Sequence, residues 1–227
     1  MIFFLYVSYL SLLFCVIICM IHFFRIIKLG TPKDLAEKSG SVFAGVIYSN
    51  TAAMLPFHKE SAYKHLPTFT AGVVFHIGTF VALACFILLF FDAVCGFFFK
   101  YTFISLLVAL GLWCSVCCGK GLFIKRLISK KLRPISNLDD YFSVSLVTLF
   151  QFVSALLFTI FAFHETYDQF FSSAFHEWII NAYFIIAAIL FIYIPYSKMR
   201  HLVYYFAARY HLGFFYGRRG TWPPRNT

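Results

Sequence analysis

The sequence predicts an all-α, integral membrane five-helix bundle, on three observations. The residues are 61% hydrophobic and 22% aromatic with only 12% charged, more apolar surface than a water-soluble domain of 227 residues can bury. Five runs, 1–24, 65–91, 101–119, 141–164 and 178–197, carry no Asp, Glu, Lys or Arg. Each is near or above the roughly 20 residues that a helix needs to cross about 30 Å of hydrocarbon. No short alternating strands appear, so in lipid the backbone groups must pair within their own helices. The third observation is where the positive charge falls. Six Lys/Arg lie in residues 25–64, six in 120–140 and six in 198–227, which leaves only Lys100 in the alternate connections. That asymmetry is the positive-inside pattern, and it predicts an outside N-terminus and an inside C-terminus in the inner (cytoplasmic) membrane.

The expected elements follow in order. Helices are expected at about 1–28, 66–92, 101–119, 141–164 and 177–199, with inner loops 29–65 and 120–140 and an inner tail 200–227, all in a single membrane domain over 1–227. The first segment lacks a basic start and a small-x-small cleavage site before Arg25, so it reads as a retained span rather than a signal peptide. In the first inner loop Gly30, Pro32 and Gly40 mark turns, and Val42, Phe43, Val46 and Ile47 recur at helical spacing, followed by Met54 and Leu55. A short interfacial helix is expected there, with its apolar face in lipid or against the bundle. Pro67 suits the first turn of the second span, and Asn137, Asp139 or Asp140 can cap the fourth. The net charge of +10 lies on one side and suits anionic lipid head groups rather than nucleic acid.

The cysteines do not form a metal site. Cys15, Cys19, Cys85 and Cys95 are dispersed among apolar residues and read as packing groups. The Cys114-x-x-Cys117 pair has no second cysteine pair to complete a four-thiolate cluster and no following histidine for covalent haem attachment.

Among eight histidines only His76, in "GVVFHIGTF", lies deep in a charge-free run. Counted from Asp92 it lies about 24 Å along the helix, in the inner half of the bilayer. An ionisable group at that depth is costly and points to a function. The functional reading is an axial ligand to b-type haem, one ring nitrogen on iron and the other held by a second group. Gly72 and Gly78 would let a flat porphyrin approach the backbone. The expected second ligand is His201 in "IPYSKMRH", at about 36 Å along the fifth span by the same counting, with tilt and a bend near Pro195 absorbing the difference. Arg200, Lys198 and Arg209 are candidates to pair with the haem propionates. His164 and His176 flank the outer loop and read as surface residues. His22, His58, His65 and His211 lie at interfaces, in the first inner loop or in the tail.

"FHIG" at 75–78 and "PYSKMRH" at 195–201 resemble the gamma subunit of respiratory nitrate reductase, whose relatives anchor heterodisulfide reductase and sulfite-reduction-associated complexes. The closing "FFYGRRGTWPP" is more similar to the iron–sulfur-partnered relatives. The resemblance implies two stacked haems, the inner one on His76 and His201. The outer pair would fall on Phe86 and Tyr183, and neither is histidine. One haem b is therefore expected, on the inner side. In the family the quinol site lies beside the outer haem; without that haem the site is expected further inward, with Lys59, Lys64 and His65 as candidates. The function this implies is a cytochrome b subunit passing electrons between menaquinone or ubiquinone and a cytoplasmic iron–sulfur subunit. It would be a redox subunit rather than a complete enzyme, since no nucleophile or general base stands out. The alternative is a haem-free transporter, with His76 as a relay, or a scaffold with structural histidines.

Overall fold

A computed structural model describes residues 2–30, 34–55, 64–89, 100–164 and 173–224. Among them are seven α-helices: α1 Ile2–Lys28, α2 Val42–Asn50, α3 Leu66–Leu88, α4 Thr102–Ile128, α5 Leu138–Phe163, α6 Ala174–Tyr193 and α7 His201–Arg218. Five of these, α1 and α3 to α6, are long and apolar enough to cross a membrane. The fold is all-α, and the chain has the character of a multi-pass membrane protein. Its contacts divide it into two compact units, Met1–Phe14 with Pro67–Lys198, and Cys15–Leu66 with Met199–Thr227.

In the first unit, α3, α4 and α5 meet around one buried amide. Gln151 Nε2 donates to the Phe75 carbonyl (2.9 Å) and to Thr79 Oγ1 (2.7 Å) on α3, while Ser115 Oγ of α4 donates to Gln151 Oε1 at 2.9 Å. Glycine permits the approach: a Cβ built on Gly78 would overlap the Ser115 side chain, and one on Gly119 would overlap Thr148 and Phe75. Trp113 Nε1 donates to Thr159 Oγ1 at 3.1 Å, a second polar tie between α4 and α5. The start of α1 joins this unit through Tyr9, whose hydroxyl donates to the Phe86 carbonyl at 2.9 Å.

One end of the unit is basic and tightly ion-paired. Asn137 caps α5 in a reciprocal box: its side chain accepts from the Asp140 N–H at 3.0 Å, and Asp140 Oδ2 accepts from the Asn137 N–H at 2.9 Å. Asp140 also meets Arg126 at 2.9 Å and Lys198 at 2.7 Å. Asp139 accepts from the Tyr193 hydroxyl, and from the Lys198 N–H at 2.7 Å.

The spans begin and end where hydrogen bonding allows, not where charge begins. Helix α4 was expected to stop at 119 but continues to Ile128, because its basic residues favour the negative end of a helix dipole and do not interrupt the backbone ladder. Helix α6 stops at Tyr193 instead of 199, with 3₁₀ turns at Ile194–Tyr196 and Lys198–Arg200, as Pro195 cannot donate to the ladder. The expected end of the second span at 92, and most of the connection after the fourth, lie outside the described residues.

The second unit contains an element the sequence reading took for a tail. Helix α7 packs on α2 through glycine: Cβ atoms built on Gly45, Gly213 or Gly217 would each overlap backbone of the opposite helix. Close approach over small residues at a four-residue spacing is a familiar membrane-helix interface. Ser49 Oγ, one turn after Gly45, donates to the Arg209 carbonyl at 2.7 Å. The packed face of α2 is thus Gly45 and Ser49, with Phe43 76% exposed and Ile47 47% exposed; the four apolar residues expected to share one face are split. After α7 the chain turns at Gly220 (φ 68°), and Trp222 lies against Tyr216 with ring centroids 4.8 Å apart. Arg219 clamps Asp34 through two bonds, of 3.1 and 3.0 Å.

Two outcomes test these contacts. Replacing Gln151 by leucine strands the groups it serves and should lower stability by about 1–2 kcal/mol, read as a lower melting temperature of the detergent-solubilised chain; an unchanged melt would show that the amide holds nothing. The Arg219 guanidinium, and then the Ala36 N–H, hold the Asp34 carboxyl below the ordinary carboxylate range. Because the folded value is the lower one, the stabilisation is present above the unfolded value of about 3.9 and is lost as the pH falls through the folded value. Asp34→Asn should therefore remove part of the acid sensitivity seen in melting scans taken below about pH 4.

Candidate functional site

His76 sits on α3 in the first unit, one residue beyond the carbonyl that Gln151 holds. Successive helix residues are about 100° apart, so turning Phe75 and Gly78 into the α4 and α5 contacts turns His76 onto an exposed face. Its Nδ1 lies 2.7 Å from the Gly72 carbonyl oxygen. A carbonyl oxygen can only accept, so Nδ1 is the donor. A Cβ built on Gly72 would meet nothing within 4 Å. Gly72 and His76 therefore share an open face one turn apart, with the ring oriented by the Gly72 carbonyl. Gly78 is not part of that face. It lies two positions on, about 200° around the helix, and serves the Ser115 contact.

The other expected residues fall as follows. His201 opens α7 in the second unit and is exposed. The Arg200 guanidinium stands over the Tyr204 ring at 5.8 Å. The Arg209 guanidinium stands over Tyr205 at 5.9 Å and Trp222 at 6.0 Å, with Nε and Nη2 buried and without a hydrogen-bond partner among the described residues. Lys198 belongs to the first unit, where its ammonium is held by Asp140. Lys64 and His65 are exposed just ahead of α3. Lys59, like His58, lies outside the described residues.

Phe86 and Tyr183 prove to be neighbours. Both are completely buried, with ring centroids 5.9 Å apart. Phe150 stacks on Tyr183 at 5.6 Å, and Phe191 meets Phe86 edge-on at 5.0 Å. The two positions that the resemblance pairs as lost ligands thus do meet across α3 and α6, and packed rings fill the space between the helices.

Three features were not read from the sequence. His164 and His176, expected as surface residues whose pairing on a haem would need an unusual geometry, meet directly at a ring-centroid distance of 4.6 Å. His164 Nδ1 lies 2.8 Å from the Ile160 carbonyl oxygen, the same arrangement as at His76. Gln151 was the only long amide within the 141–164 run and could have been singled out on that ground. The Gly213-x-x-x-Gly217 spacing was the signal for the α7 interface. Cys114 and Cys117 are both exposed on α4, and no group of three metal-ligating side chains occurs among the described residues.

The fold and its spans define a multi-pass helical membrane protein. Comparison with protein-family models, curated proteins and solved structures finds no match for this chain.

The aromatic cluster carries its own test. Phe86→Ala opens a cavity in the centre of the first unit and should cost about 3–5 kcal/mol, read as a large fall in melting temperature. Phe163→Ala, at a residue 75% exposed, should leave the melt nearly unchanged.

Proposed function

We propose that the protein is a cytochrome b-type membrane subunit, similar in plan to the nitrate reductase gamma family, that holds one haem b and passes electrons between a quinone and an iron–sulfur partner. The observation that carries this reading is the contact between Phe86 and Tyr183. The spacing of two short motifs paired these positions, and they lie together at 5.9 Å with their rings filling the core. That supports the register of the resemblance, and it favours one haem over two.

Haem b would supply one-electron transfer. The chain's own residues have three tasks. His76 offers Nε2 from a ring oriented by the Gly72 carbonyl, beside the open face at Gly72, and His201 is the second ligand expected from the sequence. The Gln151 network sets the rotation of α3 and hence where His76 points. The exposed cations Lys130, Lys131 and Arg133 between α4 and α5 suit an acidic partner surface, where charge complementarity speeds encounter.

The test is an absorption spectrum of the purified chain. One b-type reduced-minus-oxidised signal per chain is expected, abolished by His76→Ala and by His201→Ala and retained in His164→Ala. Two haems per chain would refute the count. No haem at all would favour a haem-free scaffold or transporter, in which the ring–carbonyl bond at His76 is structural, as the matching bond at His164 allows. Loss of the signal in His164→Ala alone would move the ligand set to the pair of rings at the other end of α5.

A further inference from the structure

We propose that the groove between α4 and α5 at the basic end of the first unit binds an anionic phospholipid, with its phosphate on Lys120 and an acyl chain along the apolar wall. The groove has a volume of about 460 Å³ and is lined by Lys120, Phe123, Ile124, Ser145, Leu149 and Phe152, with Thr148 at its floor. No acidic residue lines it among the described residues.

The argument starts from unbalanced charge. Helix α4 carries three cations towards its basic end. Arg126 is neutralised by Asp140 at 2.9 Å, and Lys125 donates to Thr68 Oγ1. Lys120 has only the Phe152 ring, 5.8 Å from its ammonium, among the described residues. A cation over an exposed aromatic face gains about 0.5–1 kcal/mol, and the charge remains. Among the described residues no carboxylate balances it, so an anion from outside the chain is the partner we infer.

Depth identifies the kind of anion. Lys120 lies eighteen residues after Thr102, where α4 begins, which is about 27 Å of helix and close to the thickness of the hydrocarbon layer. That distance suits Lys120 to the boundary where lipid phosphates lie. Ser145 on α5 is exposed on the same groove and offers a hydroxyl donor to a phosphate or ester oxygen. Phe123, Leu149 and Phe152 continue the wall as apolar surface of the kind an acyl chain covers. Basic pockets between membrane helices are a recurring way to recognise anionic head groups. The inference is independent of the haem reading.

The test uses the full chain, delipidated in detergent, with melting followed as dioleoyl phosphatidylglycerol or dioleoyl phosphatidylcholine is added. The acyl chains are identical, so the difference reports the head group. Phosphatidylglycerol should raise the melting temperature well beyond phosphatidylcholine. Lys120→Gln should lose most of that difference, while Lys120→Arg and Lys38→Gln, the latter at an exposed lysine of the second unit, should keep it. Equal shifts for the two lipids, or a preference surviving in Lys120→Gln, would overturn the proposal. So would a Lys120-dependent shift produced by a short-chain quinone and not by phosphatidylglycerol, which would make the groove a quinone site. Should Lys120→Gln not fold, a photoreactive phosphatidylglycerol on the wild-type chain decides: cross-links within 120–124 and 145–152 support the site, and cross-links only elsewhere remove it.

Discussion

A primary amide sealed inside a lipid-embedded bundle has no water to fall back on, so its hydrogen bonds dictate how the surrounding helices sit. Gln151 satisfies both ends of its side chain at once, with two donated bonds to α3 and one accepted from Ser115 on α4. Apolar side chains alone tolerate a few degrees of rotation, because lipid and leucine are nearly equivalent surroundings. Three convergent hydrogen bonds do not. They hold Phe75 and Thr79 towards α5, and the helical repeat then turns His76 onto the adjacent, open face. The rotation of α3, and with it the exposure of the candidate ligand, follows from an uncharged residue on another helix.

The same logic of space applies to the aromatic cluster. Phe86, Phe150, Tyr183 and Phe191 meet at ring distances of 5.0 to 5.9 Å, the range in which tilted and edge-on rings attract. A core packed in this way is closed to a flat macrocycle, whereas the face shared by Gly72 and His76 is open. In the second unit, by contrast, α2 and α7 approach backbone to backbone over glycine, with Tyr48 and Tyr216 packed on Trp222 beside that contact. One unit gains its cohesion from large rings and the other from small residues.

Much of the fold was legible. The five spans appear where the charge-free runs place them, since excluding charge over about 20 residues has one structural solution in hydrocarbon. The boundaries were less legible because charge marks the water line and not the end of hydrogen bonding: Lys120, Lys125 and Arg126 all lie within α4. Helix α7 escaped notice because its aromatic and basic residues show no apolar stripe, its interface being made of glycines that a hydrophobicity pattern ignores. Of the candidate site, His76 was legible as a histidine alone in a long apolar run. The division of labour between Gly72 and Gly78 was not, since both read simply as small neighbours until Ser115 was seen against one of them.

From its sequence alone, the protein is determined to be a helical membrane protein with five long apolar helices and one histidine inside a long charge-free run, because residue composition acts through solvent and needs no knowledge of neighbours. The tertiary structure decided which face of each span is inward, that Phe86 meets Tyr183, that Lys198 pairs with Asp140 while Lys120 meets no carboxylate among the described residues, and that residues 201–218 form a packed helix. Those outcomes depend on side chains from segments far apart in the chain meeting at particular distances, and a hydrogen bond or a packed ring exists only once both partners have been brought together.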